Sequence, residues 1–160
     1  IIDSPSIYGL SKLIAEKIIL DKFPAVILRL PSVIGLGTHG WIDSLLKKLK
    51  KNKEIILSNY KFNKFMHASE LPRMVLKHSK SKIKSNTFIV SCSNIVKSKD
   101  VVKSLKFYLN SSSTIKENRN KNSSYIISSK KLNRYYKTIK VEDVLKIFSS
   151  ELKVRRMYIE

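Results

Sequence analysis

Apolar residues recur along this chain in alternating helical and strand-like spacings, which predicts an α/β protein with parallel strands. Ser4-Pro5-Ser6 opens a first helix, with apolar positions Leu10, Leu13, Ile14, Ile18 and Ile19, that stops near Phe23-Pro24. Residues 25–30 form a continuous apolar run closed by Pro31, the pattern of a strand buried on both faces of a parallel sheet. Residues 33–40 hold Gly35, Gly37 and Gly40, three of the four glycines, so the backbone there needs unusual dihedrals or close approach. Helical spacing resumes over 41–51 through Ile42, Leu45, Leu46 and Leu49, and 54–57 and 62–67 read as extended. A helix is predicted over 69–78, with Pro72 tolerated in its first turn, and a second buried strand over 86–91. Ser98 is the expected N-cap of a helix reaching Leu109. The polar stretch 110–124 reads as a flexible connection, followed by a short strand at 125–127, a short helix over 129–136 and a closing helix over 141–152.

Composition changes this picture little. At 160 residues and 42% hydrophobic content the chain suits one globular domain with a sizeable core. No run approaches the roughly 18 apolar residues of a membrane span, and the first residues lack a signal-peptide layout, so a cytoplasmic location is the default expectation. Cys92 is the one cysteine and has no Cys or His cluster around it, so it reads as a small buried hydrophobe and no metal site is expected. The net charge of +20 would draw the chain toward polyanions. Lysine is nevertheless scattered among Ile, Asn and Ser, a mixture that AT-rich codon usage produces. The densest run, Lys47 to Lys53, falls on the exposed side and end of a helix, where cations suit the dipole. A solvated face is the preferred reading, with no specific nucleic-acid site.

Tyr8 and Lys12 stand four apart on the first helix and project from one face, one turn apart. A free phenol has a pKa of about 10, and a neighbouring ammonium favours the phenolate, so such a pair can exchange a proton with a hydroxyl near neutral pH. The bare spacing also arises by chance in a chain with 7 tyrosines and many lysines.

Its surroundings are more specific. Pro5-Ser6-Ile7-Tyr8-Gly9-Leu10-Ser11-Lys12-Leu13-Ile14-Ala15-Glu16 resembles the active-site segment of extended short-chain dehydrogenases/reductases, the NAD-dependent epimerase/dehydratase family. Ile27-Leu28-Arg29-Leu30-Pro31-Ser32-Val33-Ile34-Gly35-Leu36-Gly37 looks like that family's Arg-x-x-Asn-x-Tyr-Gly-x-Gly strand and loop. Asn63-Lys64-Phe65-Met66-His67-Ala68-Ser69-Glu70-Leu71 is similar to its Phe-x-His-x-x-Asp-Leu element, and Ser128-Ser129-Lys130-Lys131-Leu132 sits where relatives have a short helix.

The ordered set covers almost the whole chain and implies the C-terminal part of a Rossmann-like, doubly wound parallel sheet with a small substrate-binding subdomain. The division expected is residues 1–109 for the Rossmann-like part, with interleaved substrate segments, and 110–160 for the subdomain. The resemblance further implies Tyr8 as acid/base and Lys12 on the ribose of NAD or NADP. Leu30, Pro31 and Val33 would lie along the nicotinamide, Ser32 at the reacting sugar and Asn63 toward the nucleotide-diphosphate end of a nucleotide-sugar. His67 matches a mostly structural family position, and His39 is a loop residue; neither is a catalytic candidate. A homodimer through the Tyr8 helix and the family's N-terminal half is a further implication. Ser32 for Asn, Ile34 for Tyr, Asn63 for Arg and Glu70 for Asp depart from the pattern and bear on substrate more than fold.

The family's Gly-x-x-Gly-x-x-Gly turn has no counterpart here, and Gly35-Leu36-Gly37 follows the wrong strand and lacks the third glycine. The expectation is a fragment of a longer enzyme or a broken reading frame, inactive unless another chain supplies the first half. Two other readings stand beside it: a noncatalytic remnant that binds a partner chain, and a basic nucleic-acid-binding protein.

Overall fold

The computed structural model describes residues 6–37, 39–58, 61–80, 85–118 and 126–159, with side chains described up to residue 154. Helix α1 (Ile7–Lys22) begins at Ser6, whose Oγ accepts from the Gly9 amide at 3.1 Å, and ends at Phe23, one residue before Pro24. It leads into β1 (Val26–Arg29) and β2 (Ser32–Ile34), separated at Pro31, and then α2 (Trp41–Lys50). Next come β3 (Ile55–Ser58), β4 (Lys61–Phe62), β5 (Phe65–His67) and α3 (Glu70–Ser79). After them follow β6 (Asn86–Ile89), β7 (Val96–Lys97), α4 (Ser98–Tyr108), β8 (Ile115–Asn118), α5 (Lys130–Asn133) and α6 (Val141–Ile159).

Among the described residues the strands form four two-stranded pairs rather than one continuous sheet. β1 with β6, β2 with β5 and β3 with β8 run parallel, and β4 with β7 antiparallel. The α/β class and the dominant parallel pairing are those the spacing predicts. β1 is only half-buried, where the apolar run predicted burial on both faces, because β6 is its one strand partner among the described residues.

Two apolar clusters lie on either side of β5. Phe65 joins the larger, with Leu45, Leu49, Val102, Leu105 and Phe148, whereas Met66 joins the smaller, with Met74, Phe88, Val90 and Leu132. Alternate side chains of a strand point to opposite faces, so a three-residue strand serves both clusters. The larger cluster draws on α2, α4 and α6, and β3 pairs with β8, so residues from both the first 109 positions and the last 51 contribute to it.

Three local features differ from the sequence reading. β8 lies inside the polar stretch read as a flexible connection, because Ile55 pairs with Ile115 and anchors an otherwise polar strand. Lys97 rather than Ser98 occupies the N-cap of α4; the Ser98 Oγ instead donates to the Ser58 carbonyl at 2.8 Å. In the strand expected at 125–127, Tyr125 lies outside the described residues, and Ile126 and Ile127 are not in a strand. The glycine loop behaves as expected: Gly37 and Gly40 have φ of +80° and +113°, and a Cβ on Gly35 would sit 3.1 Å from the Ala68 Cβ. Among the described residues no helix is long and apolar enough to cross a membrane, and no group of three or more His, Cys, Asp or Glu could hold a metal.

Candidate functional site

α1 contains no buried residue. Gly9, Leu13, Glu16 and Leu20 form its half-buried face, and Tyr8 and Lys12 occupy the adjoining face in the open. Tyr8 is 72% exposed, so its hydroxyl can meet a ligand. The Lys12 Nζ lies 5.2 Å from the centroid of the Tyr8 ring, and the Ser11 Oγ donates to the Tyr8 carbonyl at 2.8 Å.

Between this face and the end of β1 lies a cleft of about 600 Å³, lined by Tyr8, Lys12, Leu13, Glu16 and residues 28–30. One ion pair lies in its lining. Arg29 grips the Glu16 carboxylate through Nε, 3.0 Å from Oε1, and Nη2, 2.6 Å from Oε2. This hydrogen bond, together with the charge on Glu16, raises the guanidinium pKa above its usual range against the opposing effect of burial. The lining carboxylate is thus neutralised locally, and Lys12 remains as the cation facing the cleft beside Leu13, Leu28 and Leu30.

The sequence-derived site residues fall into three sets. Tyr8, Lys12 and Leu30 line one cleft. Pro31, Ser32 and Val33 follow at once in the chain: Ser32 is exposed, Pro31 and Val33 are half-buried, and Ser32 and Val33 sit in register with Phe65 and Met66. Asn63 stands apart. It is buried, its Nδ2 donates to the Ile127 carbonyl at 2.7 Å and its Oδ1 accepts from the Ile127 amide at 3.0 Å. Asn63, expected toward the nucleotide-diphosphate end, clamps the main chain of Ile127, because both ends of its amide match one residue's backbone. Sequence reasoning missed the contact between Arg29 and Glu16, although both residues lie within the segments that carry the family resemblance.

No protein-family model matches the sequence, and no curated protein matches it. The structure, in contrast, superposes on solved enzymes over nearly its full length. For dTDP-glucose 4,6-dehydratase from Bacillus anthracis str. Ames, solved with NAD, the TM-score is 0.76 over 99% of this chain, at 14% identity. The fold is Rossmann-like. RMD from Pseudomonas aeruginosa, complexed with NADPH, gives a TM-score of 0.76 over 97% of the chain at 16% identity. WbmG from Bordetella bronchiseptica, complexed with NAD and UDP, gives 0.75 over 97% at 20% identity. The chain covers 55%, 59% and 54% of these three chains respectively, little more than half of each.

Proposed function

We propose that this chain is the Tyr-Lys-bearing part of an NAD(P)-dependent enzyme that epimerises, dehydrates or reduces a nucleotide-sugar. The observation that carries the reading is the placement of Tyr8 and Lys12 on one exposed face of α1, opening on a cleft against the end of β1. The cleft suits a nicotinamide nucleoside: Leu13, Leu28 and Leu30 offer apolar contact, Lys12 offers a donor to ribose hydroxyls, and Arg29 neutralises the lining carboxylate.

When bound, the nicotinamide supplies reversible hydride chemistry. Tyr8 exchanges a proton with the oxygen of the sugar carbon being oxidised or reduced, and Lys12 keeps positive charge beside the ring that carries the charge change. In this reading Ser32, exposed at the start of β2, meets the sugar, and Pro31 and Val33, which follow Leu30 in the chain, lie along the nicotinamide. A pyrophosphate-holding glycine turn comes from a second polypeptide segment in this reading. That segment, or a second copy of this chain, also covers the stripe of Ile7, Leu10, Ile14 and Ile18 on the outer side of α1. These residues are 90%, 48%, 51% and 51% exposed, and a helix apolar on more than one face is ordinarily covered on each.

The test joins the chain to the glycine-rich N-terminal half of a sugar-nucleotide epimerase and titrates NADH and NADPH by fluorescence. Nicotinamide binding that weakens at least about tenfold in Lys12→Ala supports the reading. A folded fusion that binds neither nucleotide overturns it. Stable assembly that binds nucleotide without turning over any sugar nucleotide would favour the noncatalytic alternative, which the outer apolar stripe of α1 supports.

A further inference from the structure

A second concavity lies away from the Tyr8 cleft and shares no residue with it. The turn after α5 folds against the C-terminal half of α3 and leaves a pocket of about 330 Å³, lined by Lys77, Asn133, Arg134, Tyr135, Tyr136 and Lys137. Three cations, one amide and two phenol rings face it, with no carboxylate in the lining. Glu70, which touches the pocket's Tyr136, is 3% exposed and already engaged. Its Oε1 accepts from Arg73 at 3.1 Å, and its Oε2 accepts from the Tyr136 hydroxyl at 2.7 Å.

The pocket is held in shape from below. The Tyr135 and Tyr136 amides both donate to the Leu132 carbonyl, at 2.8 and 2.9 Å, and Leu132 is fully buried in the smaller apolar cluster. Tyr135 meets the buried Phe88 edge-on, with centroids 5.4 Å apart, and the Lys77 Nζ lies 5.9 Å from the Tyr136 ring centroid. A preformed wall of this kind lowers the ordering cost of binding. Guanidinium, ammonium and amide donors, here on the exposed side chains of Arg134, Lys77, Lys137 and Asn133, are groups that recognise phosphate oxygens.

We propose that this pocket binds a phosphate-bearing anion of about pyrophosphate size. The volume is at the small end of ligand sites, near the roughly 300 Å³ lower limit, which favours a compact anion over a whole dinucleotide. The inference is independent of the assignment of Tyr8 and Lys12.

Inorganic pyrophosphate is the probe, titrated by calorimetry into the wild-type chain and two charge-matched triple variants. Lys77→Gln with Arg134→Gln and Lys137→Gln is expected to weaken binding at least about tenfold, whereas Lys48→Gln with Lys50→Gln and Lys51→Gln on α2 changes it by less than about twofold. Equal weakening in both would show general attraction to a basic surface and overturn the site, as would no binding to the wild type. If the pocket variant does not fold, amide chemical shifts of the wild type decide. Pyrophosphate should move residue 77 and residues 133–137 before those of α2, and uniform or α2-centred shifts would count against the proposal.

Discussion

Arg29 and Glu16 join the end of β1 to the middle of α1 through a two-pronged ion pair, and no residue of α1 is fully buried. Glu16 is 18% exposed at its side chain and Arg29 is 38% exposed, so the pair lies between a buried and a surface bridge. Glu16→Gln should therefore lower stability by only about 1 kcal/mol overall. The same change should loosen α1 much more than the rest of the chain. Hydrogen exchange in α1 that is no faster in Glu16→Gln than in wild type would show that the pair does not hold the helix.

Tyr8 makes little contact with the fold, which separates its chemistry from its structural role. Tyr8→Phe should shift stability by no more than about 0.5 kcal/mol. In a complemented, nicotinamide-binding assembly it should reduce turnover by about a hundredfold or more while sparing nucleotide affinity. Paired thermal melts and steady-state kinetics read the two effects apart, and unchanged turnover would remove Tyr8 from the proton-transfer role.

Alkaline pH should destabilise the protein. Burial is the largest cause pushing the Cys92 thiol from its usual 9.0 up to about 12, and burial followed by the hydrogen bond to Glu70 pushes the Tyr136 phenol from 10.0 up to about 12. Each folded-state pKa lies above the unfolded one, so this stability is present in full below pH 9 and declines as pH rises toward about 12. Urea midpoints should fall as pH rises above about 9, and Cys92→Ala should flatten the first part of that fall. A thiol reagent at about pH 8 should reach Cys92, which is 4% exposed, only after unfolding.

The alternation of elements and the glycine loop were legible in the sequence because periodicity and backbone need are local properties. The shared face of Tyr8 and Lys12 was legible for the same reason: a spacing of four on a helix fixes it. What escaped depends on partners distant in sequence. Nothing local marks Ile115 as the residue that pairs a polar segment with β3, or Ser98 as a donor to Ser58 forty positions earlier. Asn63 reads as an available polar side chain until Ile127, 64 residues away, takes both ends of its amide. The apolar spacing of α1 predicted a helix but not its exposure: in the structure Leu10, Ile14, Ile18 and Ile19 remain 40–51% exposed.

Among the described residues two asparagines adopt the left-handed conformation, Asn52 with φ of 51° and Asn110 with φ of 50°, and their substitutions should part company. The Asn52 Oδ1 accepts from the Ser112 amide at 2.8 Å. Asn110→Gly relieves backbone strain without losing such a bond, so it should rank above Asn52→Gly by about 1 kcal/mol in thermal or urea unfolding. Equal effects would mean that the Asn52 bond contributes nothing.

The thin attachment of α1 has a consequence for how any site on it would operate. An element joined to the core without a buried side chain belongs to the low-stability end of the local opening spectrum, where brief excursions from the native position precede global unfolding. The helix that carries Tyr8 and Lys12 is thus the part whose order an occupant of the cleft or the outer stripe would change most. Ligand capture and the settling of α1 become a single thermodynamic event, and part of the affinity is spent on quieting the helix.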